Sequence, residues 1–364
     1  MKDVIIIGAG IIGGTVAYEL SKFDVDALVI EKLDKPGLDV TGHNSAVVHA
    51  GVDPEEGTLK NKYNLLGTKM YEAYAKELGT PYKQIGAFLI ATSDADNDAI
   101  EYLMNNAKNR DIFVERLNRE EALQREPNLP HNVYEVLSMP TTAVVNPTDV
   151  AQKAIQKAQE RGIKVHLEEE VVAINKLEEG FEVVTNKGSY KTRSIVNAAG
   201  LYTPHIEKMV SEPTFELTYI RGDYITLSKE ARGMSDGALY PAPTNMGKGV
   251  LVIPQVDDSV LIGPTAFTIT SLDETEITEA DINVIKEKIT MVAKEVPYEH
   301  QSGYMTGIRP KEVNNDFIIG ESKLVPYFFN LAGTDSPGIV SAPAIADDFV
   351  NNMLAPRINI KKKD

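Results

Sequence analysis

Val4-Ile5-Ile6-Ile7-Gly8-Ala9-Gly10-Ile11-Ile12-Gly13 decides the fold of this chain. Four branched apolar residues in a row predict a short strand buried on both faces. Gly8, Gly10 and Gly13 follow at G-x-G-x-x-G spacing, and Ile12, Val16 and Leu20 then recur at helical spacing. A second apolar run, Ala27 to Ile30, completes a β-α-β unit and leads into Glu31, eighteen residues past Gly13. In such a unit the first glycine permits the tight turn and the second lets a pyrophosphate approach the backbone. The third lets helix and strand pack closely, while the free N–H groups of the helix start face the phosphates. An acid ending the second strand reaches ribose hydroxyls. Loop, strand and acid together predict an adenine-dinucleotide site, with NAD or FAD left open by the motif itself. Its place at the start of the chain favours FAD.

Composition narrows the rest. A chain of 364 residues suits two closely joined domains. Its 43% hydrophobic and 25% charged residues describe an ordinary globular protein with a sizeable core. The formal net charge of -16 repels phosphate backbones, so nucleic acid is not an expected partner. Small anions then need a locally positive pocket. There is no cysteine, which excludes disulfides, thiolate metal sites and a flavin tethered through sulfur; no metal is expected. No signal-peptide pattern or transmembrane segment is read, so the expected location is cytoplasmic. Lys361, Lys362 and Lys363 read as a solvated tail.

Further along, Leu59, Tyr63, Leu66, Met70 and Tyr74 predict one long amphipathic helix capped by Thr58 and stopped by Gly79. Another helix is expected from a Thr148 cap to Gly162, followed by the strand Lys164 to Leu167. Val171 to Asn175, Phe181 to Thr185, Tyr190 to Arg193 and Ser194 to Gly200 read as strands, with Asn186-Lys187-Gly188 as a turn. Between Leu217 and Thr265 the pattern becomes strand-rich, as an antiparallel second domain requires. Helical character returns at Glu279 to Lys294, and a last helix starts near Gly338.

Four later segments carry a family resemblance. Thr41-Gly42-His43-Asn44-Ser45-Ala46-Val47-Val48-His49-Ala50-Gly51 resembles the flavin-contacting loop of the D-amino-acid-oxidase-like FAD oxidoreductases. Asn197-Ala198-Ala199-Gly200-Leu201-Tyr202, Arg221-Gly222-Asp223-Tyr224 and Ser336-Pro337-Gly338 agree with it. Within that family the chain resembles the branch containing bacterial glycerol-3-phosphate oxidases and L-2-hydroxyglutarate dehydrogenase. The resemblance implies an α/β (α+β overall) fold: a Rossmann-like FAD domain from residues 1–80, 147–210 and 305–364, and an antiparallel-sheet substrate domain from 81–146 and 211–304. It implies FAD contacts from Gly8, Gly10, Ile12, Gly13, Glu31, Lys32, Thr41, Gly42, Ser45, Ala46, Val47, Val172, Ala199, Gly200, Thr334, Asp335, Gly338 and Ile339.

The same resemblance puts His49 beside flavin N5 as general base. An imidazole, titrating at about 6.5 in water, is mostly free at neutral pH to accept a substrate hydroxyl proton as hydride leaves the same carbon. Gly338 and Ile339 open a helix whose positive end would meet the negative charge of a reduced flavin. Arg309, in Gly307-Ile308-Arg309-Pro310, matches the arginine that holds the substrate anion, for which its planar fork suits carboxylate or phosphate.

The expected enzyme is therefore an FAD-dependent oxidoreductase acting on a CH–OH group of a small anionic substrate. Lys248, in Gly247-Lys248-Gly249, resembles the phosphate lysine of glycerol-3-phosphate oxidases, though Gly-Lys-Gly also suits a hairpin turn. Ser336 and Ser45 would add hydroxyls to the substrate. Pulling the other way, residues 41–45 and 221–224 are close to the hydroxyglutarate enzymes, and Asp335 stands where the glycerol-3-phosphate oxidases carry a basic residue. A carboxylate there repels a dianion unless turned away. The leading expectation is sn-glycerol 3-phosphate to dihydroxyacetone phosphate, with L-2-hydroxyglutarate to 2-oxoglutarate second and an amine oxidase third. Non-catalytic FAD binding and NAD-dependent dehydrogenation are the competing classes. Oxygen or quinone as electron acceptor, the oligomeric state and a histidyl flavin tether at His43 stay open.

Overall fold

A computed structural model describes residues 1–242 and 249–363. Two large sheets organise the chain. In the first, Lys2–Ile7 is the central strand, parallel to Ala27–Ile30 on one side and to Ser189–Asn197 on the other. Lys164–His166 extends the sheet beyond Ala27–Ile30, and Phe328–Ala332 runs parallel to the C-terminal half of Ser189–Asn197. The N-terminal half of that strand instead turns back antiparallel with Phe181–Thr185, which pairs with Val171–Lys176. What the sequence divides into two strands at Arg193 is thus one, because its two halves serve different neighbours.

Both faces of this sheet are covered. Val4, Ile6, Val29 and Val196 pack under helices Ile11–Leu20, Pro147–Glu160 and Gly338–Asp348, while Ile5, Leu28, Ile195 and Phe328 form a core on the other face. This is why the strands read as unbroken apolar runs. The Pro147–Glu160 helix begins one residue before the expected Thr148 cap: Asn146 accepts from the Asp149 N–H, and Pro147 occupies the first turn, where a missing N–H costs nothing.

The second sheet has nine strands, with Leu217–Leu227 and Gln301–Glu312 paired along nearly their whole length. The expected boundary at residue 305 therefore cuts through a strand that belongs, by its hydrogen bonds, to this second sheet. A separate apolar core, including Ile225, Val252, Ile262 and Ile285, fills one of its faces. A small third sheet ties the two parts together: Val47–Val48 and Tyr82–Gln84 both pair with Ala143–Val145.

The Leu59–Leu78 helix starts and stops as the sequence predicts, with Thr58 accepting from Asn61 N–H and Gly79 in the left-handed region. Its buried face differs. Leu66 is exposed, whereas Lys60, Asn61, Asn64, Tyr63, Tyr71 and Tyr74 are buried. The expected Glu279 to Lys294 helix ends at Lys288 and continues as a single tight turn. No helix among the described residues is long and apolar enough to cross a membrane.

Candidate active site

The glycine loop sits where the sequence puts it. Gly8 adopts φ +100°, and a Cβ on Gly13 would lie 2.0 Å from the Gly8 carbonyl oxygen, so only glycine allows the turn and the helix to come this close. The helix that follows has no side-chain cap at Gly10, unlike Leu59–Leu78, Pro147–Glu160 and Glu279–Lys288, each capped by a side chain. Thr41 Oγ1 accepts from Ile11 N–H at 2.9 Å, which draws the 41–49 loop onto the helix start. A helix start that Gly10 leaves without a cap of its own, with only the Ile11 N–H taken by Thr41, and that opens on a cleft is suited to an anion.

That cleft is lined by Gly8, Gly10, Glu31, Lys32, Thr41, Ala199 and Gly200, seven of the predicted cofactor residues brought together from three parts of the chain. Glu31 is held rigidly: its carboxylate accepts from Ala9 N–H at 2.7 Å and Leu33 N–H at 2.9 Å. Lys32 stacks its ammonium over the Tyr202 ring, 3.5 Å from the centroid. Ile12 and Gly13 are buried on the helix behind the loop. Val172 is placed differently from its neighbours. Val171 lines the cleft, while the Val172 side chain is exposed, because the ladder with Phe181–Thr185 skips it between Val171 and Ala173. Only the backbone of Val172 is then available to a ligand in the cleft. The cleft thus has what the ADP half of FAD needs: glycine backbone and a helix start for the pyrophosphate, and a fixed carboxylate for the ribose.

Beyond Thr41 the loop is pinned by Asn44, whose Nδ2 donates to the Val40 and Thr41 carbonyls and whose Oδ1 accepts from Ala46 N–H. Gly42 packs under the Gly37 and Thr148 region, Ala46 takes φ +62°, and Val47 enters the small sheet opposite Val144. His43 Nδ1 lies 3.0 Å from the Asp39 carbonyl. The loop then delivers His49 to a separate, largely apolar cavity that it shares with Asn64, Met139, Tyr240, Leu251 and Pro337. Asn64 Nδ2 and Thr68 Oγ1 both donate to the His49 carbonyl, at 3.1 and 2.7 Å. The Leu59–Leu78 helix therefore holds the histidine's backbone, which explains why its polar face is buried.

Arg309 lies on the Gln301–Glu312 strand, and its Nη2 donates to the Thr265 carbonyl at 3.0 Å. Gly307 is required two residues earlier, since a Cβ there would stand 1.9 Å from the His43 carbonyl oxygen. The strand thus passes directly against the 41–49 loop. Next to it, Arg221 is committed to Asp223 and Asp281 at 3.2 and 2.9 Å, while Tyr224 reaches the Ser45 hydroxyl at 3.3 Å. Burial raises the Tyr224 hydroxyl above its ordinary range, and the nearby Arg309 charge opposes that rise.

The turn 334–338 closes the site, and the Gly338–Asp348 helix that it opens carries no side-chain cap. Thr334 and Ile339 flank Asp335, Ser336 and Gly338 in this segment, and Gly338 N–H donates to the Asp335 carbonyl. The Asp335 side chain does not stand bare beside the anion site. It is buried against Lys60, whose Nζ lies 2.7 Å from Oδ1. Burial raises its carboxyl above the usual range, against the pull of Lys60, Arg309 and Lys311. The charges of Lys60, Arg309 and Lys311 oppose that of Asp335, which weakens the repulsion expected at this position.

Lys248 lies outside the described residues, together with Gly247. Lys60, Asn64, Thr68 and Tyr240 are not among the site residues expected from sequence; helical spacing places the first three on the polar side of a helix, where charged and amide groups normally meet solvent.

The chain resembles known proteins in sequence and in fold. It is 34% identical to a glycerol 3-phosphate dehydrogenase of Caloramator mitchellensis over 100% of this chain and 76% of the relative. A glycerol 3-phosphate oxidase of Mycoplasma pneumoniae is 30% identical over 96% of this chain and 94% of its own. An L-2-hydroxyglutarate dehydrogenase of Escherichia coli is 32% identical, over 73% of this chain and 64% of its own. Among solved structures, FAD-bound L-alpha-glycerophosphate oxidase of Mycoplasma pneumoniae superposes with a TM-score of 0.93 at 29% identity, covering 100% of this chain and 96% of that one. The family model described as FAD dependent oxidoreductase matches residues 3–351. With the glycine loop, the Glu31 carboxylate and the uncapped helix starts in place, the chain belongs to the DAO family of FAD-dependent oxidoreductases.

Proposed function

We propose that the protein oxidises sn-glycerol 3-phosphate to dihydroxyacetone phosphate. The observation that carries this reading is identity held over the whole chain: the relatives named for glycerol 3-phosphate are 29–34% identical over 96–100% of it, whereas those named for L-2-hydroxyglutarate reach 32% over 73% or 26% over 97%. The Lys60–Asp335 pair supports it, since it offsets the carboxylate charge that argued against a phosphate dianion.

FAD supplies the two-electron acceptor for the hydride that leaves C2 of the substrate. Within the chain, Arg309 binds the phosphate, with its guanidinium orientation fixed by the Thr265 carbonyl. His49 accepts the C2 hydroxyl proton as the C2–H bond breaks, so that the carbonyl forms without a charged alkoxide. Asn64 and Thr68 keep the His49 backbone in place for that transfer. The uncapped start of the Gly338–Asp348 helix turns its positive end on the site. Lys248, outside the described residues, is assigned to the phosphate as a second cation by the sequence resemblance alone. The two-domain division belongs to the same reading, with the Gln301–Glu312 strand counted in the substrate part.

Anaerobic mixing of the purified holoprotein with glycerol 3-phosphate, and separately with L-2-hydroxyglutarate, tests the reading through the flavin absorbance at about 450 nm. Bleaching by glycerol 3-phosphate is the expected result. Bleaching by hydroxyglutarate alone would transfer the assignment to the hydroxy acid, and bleaching by neither would remove both substrates.

A further inference from the structure

We infer that Thr265, held in place by Asp223, is a positioning residue for Arg309: its hydroxyl locks the connector whose carbonyl aims the guanidinium at the substrate anion. The inference rests on the reading of Arg309 as the residue that binds that anion, and adds what sets its direction.

Thr265 lies in the connector 264–266, between the strands Val260–Gly263 and Phe267–Ile269. Both strands pair with Leu217–Leu227, the first at residues 225–227 and the second at 219–221. The connector therefore arches past Gly222, Asp223 and Tyr224 outside both ladders, and Pro264 brings no N–H to it. Three hydrogen bonds to Asp223 take the ladder's place. Thr265 N–H donates to the Asp223 carbonyl at 3.1 Å. The Thr265 hydroxyl accepts from Asp223 N–H at 2.9 Å and donates to Asp223 Oδ2 at 3.2 Å. Thr265 is buried by this embrace, although Ala266 beside it is exposed.

Asp223 is itself fully buried, and a carboxylate taken out of water persists only where its oxygens are paired. Its further partners are Arg221, at 3.2 Å, and the Thr306 hydroxyl, at 2.6 Å. Thr306 stands opposite Asp223 on the Gln301–Glu312 strand. One carboxylate thus fixes both the connector and the strand that presents Arg309 three residues later. On this frame the Thr265 carbonyl accepts from Arg309 Nη2 at 3.0 Å, the guanidinium's one hydrogen bond among the described residues. Gly222 gives the contact its room, since a Cβ there would lie 3.2 Å from the Thr265 oxygen and 3.3 Å from Arg309 Nη2. A planar fork binds an anion best when its orientation is set beforehand, and an anchor on Nη2 does this while leaving the N–H groups of Nε and Nη1 for the ligand.

The test measures anaerobic flavin reduction of the holoenzyme over a range of glycerol 3-phosphate concentrations, which yields a half-saturating concentration and a limiting rate. Thr265→Val keeps the shape and removes the hydroxyl, whereas Thr265→Ser keeps the hydroxyl and removes a methyl. Thr265→Val is expected to raise the half-saturating concentration about 10-fold, the order of one lost hydrogen bond, with the limiting rate within about 2-fold of wild type. Thr265→Ser should stay at the wild-type value. Arg309→Met is expected to raise the half-saturating concentration about 100-fold, and Thr265→Val should add nothing in that background, because a positioning residue has no effect once its target is gone. Thr265→Ala, read in the same two quantities, replaces Thr265→Val if the latter does not retain its flavin. An unchanged half-saturating concentration without the hydroxyl, or the same shift on top of Arg309→Met, overturns the positioning role and leaves the substrate reading intact. A wild-type value in Arg309→Met removes that residue from the anion and the inference with it. If L-2-hydroxyglutarate alone reduces the wild-type flavin, the glycerol 3-phosphate reading falls and the same series, run with the hydroxy acid, decides the positioning role. Reduction by neither overturns both.

Discussion

Lys60 Nζ stands 2.7 Å from the Asp335 carboxylate, and both side chains are at most 10% exposed. The pair joins the first turn of one helix to the turn that opens another. Asp316 reinforces the same corner by accepting from the Leu59 and Lys60 N–H groups at 2.9 and 3.0 Å.

Breaking the pair from one side leaves a charge buried alone. Lys60→Met is expected to cost about 3–5 kcal/mol of unfolding free energy, and the double variant Lys60→Met/Asp335→Asn to recover most of it. Equilibrium denaturation of the three proteins measures both values. A single-variant loss below about 1 kcal/mol would remove the pair from the account of this corner.

His49→Ala should leave the cleft for the ADP half of FAD untouched, because the histidine lines a different cavity from the glycine loop. Flavin content is expected to match wild type, while anaerobic reduction by glycerol 3-phosphate slows by about 10²–10⁴-fold, the usual worth of a general base. Stopped-flow traces at several pH values check this; a variant that reduces at wild-type speed would show that His49 takes no proton.

Gly307→Ala places a methyl group 1.9 Å from the His43 carbonyl oxygen, with backbone on both sides of the clash. The strand carrying Arg309 must then move away from the 41–49 loop. The expected loss is about 3 kcal/mol, at the upper end for overpacking, with a reduced flavin-to-protein ratio. Thermal denaturation and the absorbance ratio of the purified variant read the two effects.

Asp281 is held below the ordinary carboxylate value of 3.8: burial works to raise it, but the Thr278 N–H, the Thr278 hydroxyl and Arg221 together lower it further. Because the folded value lies below the unfolded one, its stabilisation is complete above pH 3.8 and is lost as the pH falls through the folded value. Asp281→Asn should therefore lower stability by about 1–3 kcal/mol at neutral pH. That difference should shrink as both proteins are acidified below pH 4, and melting temperatures across the range would reveal a constant offset if the sign were wrong.

The dinucleotide loop is legible in the sequence because its signals are local: Gly8, Gly10, Gly13 and Glu31 sit at fixed offsets within one β-α-β unit. Arg309 is legible as a residue but not as part of a strand, since Gly307 and Pro310 are ordinarily strand breakers. They are tolerated because Gly307 gives room to His43 and the strand is anchored along its length by Leu217–Leu227. The face of the Leu59–Leu78 helix departs from its periodicity at Leu66 for a different reason. Lys60, Asn61 and Asn64 are buried on a side that also meets residues 49, 315 and 335, contacts that no spacing within the helix encodes. Val172 falls out of register because a bulge leaves no mark in an alternating pattern.

The parallel order Lys2–Ile7, Ser189–Asn197, Phe328–Ala332 sets a timetable for the nascent chain. The ribosome releases the fingerprint glycines long before residues 328–348, which bring the sheet its outer parallel strand and the second uncapped helix. Cofactor capture is consequently a late event, and meanwhile the apolar first strand has only Ala27–Ile30 beside it until residues 189–197 are made.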